Sequence, residues 1–144
     1  MFRRIVIAST VAAGLAVASS ALAGESDAEE CLRTKVWDSY AEGWAIRTMS
    51  TTSLATGKTR NYLVTLYEGN QYRIGACGDD TVTDVAVLLY DTNGKLLKSS
   101  EGKVREPAVD YEPAATGSYY VVLYARALEE GAAEGGVAMA VTYK

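Results

Sequence analysis

The residues of this chain whose types and spacing invite a chemical reading are its carboxylates, two cysteines and ten tyrosines; it has no histidine. Ser-His-Asp and Cys-His nucleophile systems are therefore excluded, as are histidine-ligated zinc sites. No Walker-type phosphate loop is present. A glycosidase-like acid pair would have to come from Asp79, Asp80, Asp84, Asp110 and Glu112. Carboxylates are ordinary on a soluble surface, and these five carry no further catalytic pattern. The chain reads as non-enzymatic, with a carboxylate-based hydrolase as the last of its alternatives.

The carboxylates also raise the question of calcium. Asp91-Thr92-Asn93-Gly94 opens like a calcium loop, with oxygen ligands at alternate positions and then a glycine. An EF-hand loop continues to a glutamate at position twelve. Counted from Asp91, that slot holds Gly102, and Lys95 and Leu97 occupy two positions that should carry oxygens. Asx-Gly between alternating apolar runs is instead a strong hairpin signal, because Asn and Gly accept positive φ. Any calcium in this chain would use Asp79, Asp80 and Asp84. No other cofactor is expected.

Cys31 and Cys77 form an even pair, which in an oxidising compartment becomes a disulfide. The tyrosines are the remaining resource. Tyr62, Tyr67, Tyr119 and Tyr120 fall in expected strands, and aromatic rows with polar tips serve as protein- or carbohydrate-binding surfaces. Adjacent Tyr119 and Tyr120 must point to opposite faces, so one of them faces outward. The bland alternative is that most are half-buried strand residues, favoured there by β propensity.

The elements that must position these groups follow from periodicity. Ser26 to Trp44 reads as a helix, with Ser26 and Glu29 as a capping box. Leu32, Val36, Trp37, Tyr40, Ala41 and Trp44 recur at three- and four-residue steps, a stripe expected to pack on the domain. From Ala45 the period changes to two. Eight short segments follow: Ala45–Thr52, the run around Tyr62–Tyr67, Gln71–Cys77, Asp84–Tyr90, Lys95–Ser99, Ala108–Tyr111, Ser118–Arg126 and Gly136–Lys144. Asp84–Tyr90 is almost wholly apolar and is expected to be a central strand. Seven or eight strands at this spacing indicate an all-β antiparallel sandwich.

The ends and the charge place the chain. Arg3 and Arg4, an apolar run to Ala18 and Ala21-Leu22-Ala23 form a secretory signal with cleavage before Gly24. The expected domains are a signal peptide at 1–23, a packed N-terminal helix at 24–44 and a β-sandwich at 45–144. The mature chain would be exported, to the periplasm or beyond, and has no segment apolar enough to span a membrane. It keeps twelve basic residues against eighteen acidic ones, a net charge near −6. Phosphate backbones repel such a domain, so nucleic acid is not an expected partner.

Three pieces in order resemble a known family. "YEGNQYRI" resembles the aG-x-x-Y-x-I hairpin of bacterial pre-peptidase C-terminal (PPC) domains, "DVAVLLYDTNGKLL" their D-x-x-L-x-L-Y-D-x-x-G strand and turn, and "PAATGSYYVVLYA" their closing strand. The match runs from about Lys58 to Ala125. The resemblance implies a jelly-roll-like β-sandwich that is secreted and non-catalytic, in a family whose members accompany extracellular hydrolases and in some cases bind collagen or polysaccharide. This chain departs from the pattern in having no catalytic domain and in adding a cysteine-bearing helix. The expected function is a binding module for a protein or a surface glycan, or alternatively a structural subunit of an extracellular or periplasmic assembly. The sequence leaves the oligomeric state open.

Overall fold

The structure, a computed structural model, describes residues 19–144, with side chains from Gly24 onward. The expected signal peptide lies outside the described residues up to position 18; its last five residues begin the helix α1 (Ser19–Ala41). The helix thus starts before Ser26, because Ala21, Leu22 and Ala23 are strong helix formers that extend it upstream. Ser26 sits inside the helix, not at its cap. Its end is set by Gly43 at φ 95°: Trp44 N–H donates to the Ser39 carbonyl and Gly43 N–H to that of Tyr40. These are the two bonds of a Schellman motif. Trp44 therefore lies beyond the helix, buried between the Arg73 guanidinium and the Lys144 ammonium, 4.5 and 4.8 Å from its ring.

Eight strands follow: β1 (Ala45–Leu54), β2 (Thr59–Leu66), β3 (Tyr72–Gly78), β4 (Val82–Asp91), β5 (Leu96–Ser99), β6 (Ala108–Tyr111), β7 (Gly117–Leu128) and β8 (Gly135–Tyr143). They form two four-stranded antiparallel sheets, ordered β1-β8-β3-β6 and β2-β7-β4-β5. Between them lies a core of alternating inward residues, among them Leu66, Ile74, Val85, Leu89, Leu123 and Met139. At roughly 25 cal/mol per Å² this apolar burial is the main stabilising force of the domain.

The expected hairpin at Asp91-Gly94 is present. The Asp91 side chain accepts from Asn93 N–H and Lys95 N–H, both at 2.9 Å, and joins β4 to β5. Only Gly94 takes positive φ, at 81°; Asn93 does not, so the aspartate side chain and not an Asn-Gly primed turn shapes the tip. The turn at Glu68–Gln71 differs from expectation. It is not a hairpin, because β2 pairs only with β7 while β3 pairs with β6 and β8. It carries the chain from one sheet to the other. The Tyr72 hydroxyl fastens it, accepting from Tyr67 N–H at 2.8 Å and Asn70 Nδ2 at 3.2 Å.

The strand buried on both faces is β8. Val137, Met139 and Val141 face the sandwich core, while Ala138 and Ala140 lie under α1. Small residues there let the helix approach closely, so Ala28, Leu32 and Val36 seat against Ala138, Ala140 and Cys77. Among the described residues no helix is long and apolar enough to cross a membrane.

Candidate binding surface

Ala28, Leu32 and Val36, one helical turn apart, make α1 bury a narrow stripe. The rest of the expected stripe is not packed. At about 100° per residue Trp37 stands roughly 140° around the helix from Leu32, off the stripe that packs on β8. Trp37 is 74% exposed and Tyr40 63%, and their rings stack with centroids 6.1 Å apart. Beside them runs β1, an edge strand with an exposed Ile46 and a half-buried Met49. Helix and strand enclose an open groove of about 600 Å³ with Val36, Trp37, Tyr40, Ile46 and Met49 as its apolar lining. Glu29 and Arg33, joined by a 2.9 Å hydrogen bond, form a polar margin. Exposed Trp and Tyr around an apolar centre with a charged rim are the composition of a protein-recognition patch.

The tyrosines singled out from the sequence divide between surface and interior. Tyr119 is the inward member of its pair: it is buried, packs edge-on against Tyr111 at 5.8 Å and donates its hydroxyl to the Ala115 carbonyl at 2.9 Å. Burial, reinforced by Tyr111 and Asp91, pushes its pKa up. Tyr62 is half-buried against the core, its ring 6.0 Å from the Arg60 guanidinium. Tyr67 is exposed with Arg47 over its ring at 5.1 Å. Tyr120, 40% exposed, faces Leu63 directly across the β2–β7 pair, and Tyr90 faces the exposed Leu96 across β4–β5. This second apolar band crosses the outer face of the other sheet, which α1 does not cover. The four named tyrosines therefore do not converge on one surface.

Nor do the three aspartates converge on a common ligand position: no oxygen triplet from Asp79, Asp80 and Asp84 lies within 4.8 Å. Asp79 is buried and accepts from Thr81 N–H and Thr81 Oγ1 on one oxygen and from Gly136 N–H, at 2.8 Å, on the other. Asp84 is buried against Arg126 at 2.9 Å, and Asp80 is exposed beside Arg105 at 3.5 Å. Asp110 is held bidentately by Arg73 at 2.8 and 3.2 Å, which raises the arginine's pKa. Each of these carboxylates has a partner within the chain.

Cys31 and Cys77 are joined in a disulfide that ties α1 to β3, with Cα atoms 6.1 Å apart. Glu106 places a carboxylate oxygen 3.1 Å from the Cys31 sulfur, and Lys35 lies 3.4 Å from its other oxygen. The sulfurs are bonded to each other, so this cluster has no thiolate to offer a metal.

No family model matches the chain, and no curated protein matches it. Solved structures share its architecture, two among them at a TM-score of 0.50 or more. PliG from Aeromonas hydrophila, a periplasmic lysozyme inhibitor of g-type lysozyme, superposes with a TM-score of 0.54 at 14% identity, covering 69% of this chain and 88% of its own. The pre-peptidase C-terminal domain of the collagenase from Bacillus anthracis gives 0.50 at 17% identity, over 67% and 89%. The fold is PPC-like.

On this PPC-like sandwich the most exposed aromatics among the described residues are Trp37 and Tyr40, which the helical periodicity places on the packed face. The four-residue repeat Ala28-Leu32-Val36 could have separated Trp37 from the packed face but not Tyr40, which is the next member of that repeat. A helix lying on alanine-bearing strands needs only that stripe, and Trp37 is out of phase with it.

Proposed function

We propose that the chain is an exported, non-catalytic binding module whose partner is a protein, engaged at the groove between α1 and β1. The observation that carries this reading is the Trp37–Tyr40 stack, exposed beside Ile46 over an apolar groove. Each large apolar side chain left in water is a cost that a partner's surface removes, and isolated domains seldom display such clusters otherwise. A protein is favoured over a glycan because the lining is apolar, with few directional donors and acceptors for sugar hydroxyls. Export is supported by the signal-like N-terminus and by the disulfide. The lack of histidine and the engagement of Asp79, Asp84 and Asp110 within the chain support a non-catalytic role. The fold likeness to PliG makes g-type lysozyme one purified partner worth assaying first.

A second reading, a subunit of an extracellular or periplasmic assembly, draws on the band formed by Leu63, Tyr120, Tyr90 and Leu96. Light scattering across a concentration series separates the two, since self-assembly through that band gives a mass that rises with concentration. For the first reading, the immobilised mature chain is exposed to exported proteins and to g-type lysozyme, beside a Trp37→Ala/Tyr40→Ala double variant. Capture lost in the variant supports it. Capture that survives the substitutions, or binding only on a glycan array, contradicts it.

A further inference from the structure

Gly24, the residue following the expected cleavage site, is held in an unusually tight place. A Cβ on Gly24 would lie 2.5 Å from Asp79 Oδ2, and one on Gly136 would lie 2.1 Å from the Gly24 carbonyl oxygen. Gly136 therefore has to be glycine, since its side chain would meet backbone, and the Gly24 backbone rests against the Asp79 carboxylate. With a carbon–carbon bond of about 1.5 Å, Gly24 Cα is within roughly 4 Å of Oδ2, and its nitrogen is one bond further on.

Asp79 has room for one more donor there. An ionised carboxylate offers about four acceptor positions. Thr81 N–H and Thr81 Oγ1 fill two on Oδ1, and Gly136 N–H fills one on Oδ2. The acceptor position to which the described chain supplies no donor is on Oδ2, the oxygen nearest Gly24. Around it lies a cleft lined by Gly24, Asp27, Asp79, Asp80 and Glu134, and among the described residues Arg105 on Asp80 is the one cation paired with these acids.

We propose that cleavage after Ala23 creates the missing donor: the new α-ammonium of Gly24 docks on Asp79 Oδ2 and closes this acidic cleft. The inference rests on the expected signal cleavage. In the precursor the same nitrogen is an uncharged peptide amide, so the ion pair exists only in the processed protein. Rotation about the Gly24 Cα–C bond, free once the preceding residues are gone, swings the amine toward Oδ2. The positive end of the α1 dipole, equivalent to about half a unit charge, opposes an ammonium at this helix start. Against it stand the buried Asp79 carboxylate and, at the rim of the cleft, Asp27, Asp80 and Glu134. Processing thereby locks α1 onto the β3–β4 turn and onto β8 through Gly136.

Intact-mass analysis of the exported protein first establishes whether the chain starts at Gly24; any other start overturns the proposal without touching the proposed binding role. The α-amine is then acylated at neutral pH with a limiting active ester, beside a peptide of the same first residues. Docking raises the amine's pKa, and each unit lowers the reactive free-amine fraction about tenfold. The expected result is an amine at least about tenfold slower than the peptide's, with the rate restored in Asp79→Asn. Because Asp79→Asn also loses the Gly136 contact and can fail to fold, melting temperatures of the Gly24-start and Nα-acetylated proteins are compared as well. The acetyl group occupies the place of the Ala23 carbonyl, so it removes charge without new crowding, and it is expected to lower the melting temperature. An amine as reactive as the peptide's, or an acetylated protein that melts identically, overturns the proposal.

Discussion

Trp37 stacks on Tyr40 at a centroid distance of 6.1 Å, on the flank of α1 that borders the groove beside β1. Leu32, on the buried stripe of the same helix, touches Ala138 and Ala140 instead. The two positions should respond oppositely to truncation. Leu32→Ala is expected to cost about 3 kcal/mol, the usual range for a buried leucine. Trp37→Ala should change stability by no more than about 0.5 kcal/mol. Urea unfolding of both variants measures this; a Trp37→Ala loss as large as that of Leu32→Ala would mean the helix packs on a wider face.

The Cys31–Cys77 bridge spans 46 residues. In the chain-entropy account a loop of that length stabilises by about 4 kcal/mol. Cys31→Ser/Cys77→Ser should therefore lose close to that amount in denaturant unfolding, and reduction of the unsubstituted protein should reproduce it. A loss below about 1 kcal/mol would show that the helix is held by its packing alone.

Asp79, Asp80 and Asp84 are the chain's own candidates for calcium, yet each has a partner within the chain. Melting temperature is accordingly expected to be the same with calcium and with a chelator. Asp79→Ala, which removes three accepted hydrogen bonds from a buried turn, should cost about 3 kcal/mol, whereas exposed Asp80→Ala should stay within about 0.5 kcal/mol. A calcium-dependent rise in melting temperature that disappears in Asp80→Ala would be the opposite outcome.

Burial raises the Tyr119 pKa above its ordinary value near 10. A group whose folded pKa is raised contributes stability that is complete below the unfolded pKa and is lost as pH climbs through the folded one. Stability should thus fall more steeply above about pH 10 in the unsubstituted protein than in Tyr119→Phe. At neutral pH the variant should be weaker by about 1 kcal/mol, for the lost bond to Ala115. Melting curves from pH 9 to 12 on the two proteins give the comparison; parallel curves would place the titrating tyrosine elsewhere.

Much of this architecture is readable from local pattern. Period-two alternation in Tyr62–Tyr67 already separates buried Val64 and Leu66 from exposed Leu63, and the Asp91–Gly94 turn follows from its residue types. What local pattern does not carry is pairing at a distance. The turn at Glu68–Gln71 has hairpin chemistry, yet β2 and β3 belong to different sheets, which only the β2–β7 and β3–β8 registers decide. Asp84 resembles a ligand until Arg126, 42 positions on, arrives beside it. Tyr119 and Tyr120 must face opposite ways, but their inward member depends on the sheet that β7 joins. The exposed aromatics escaped for a related reason: the width of a helix's buried face is set by the surface beneath it, here the small side chains of β8.

The central claim is that the groove between α1 and β1 is the binding surface. Titration calorimetry of the captured partner against the mature protein, Trp37→Ala/Tyr40→Ala and Leu63→Ala/Tyr120→Ala tests it most directly. An aromatic hot spot carries about 2 kcal/mol or more, so even if only one of the two is such a spot the first variant should weaken binding by at least roughly 30-fold, while the second binds as the unsubstituted protein does. Undiminished affinity in the first variant, or loss confined to the second, would contradict the account and move the site to the uncovered sheet.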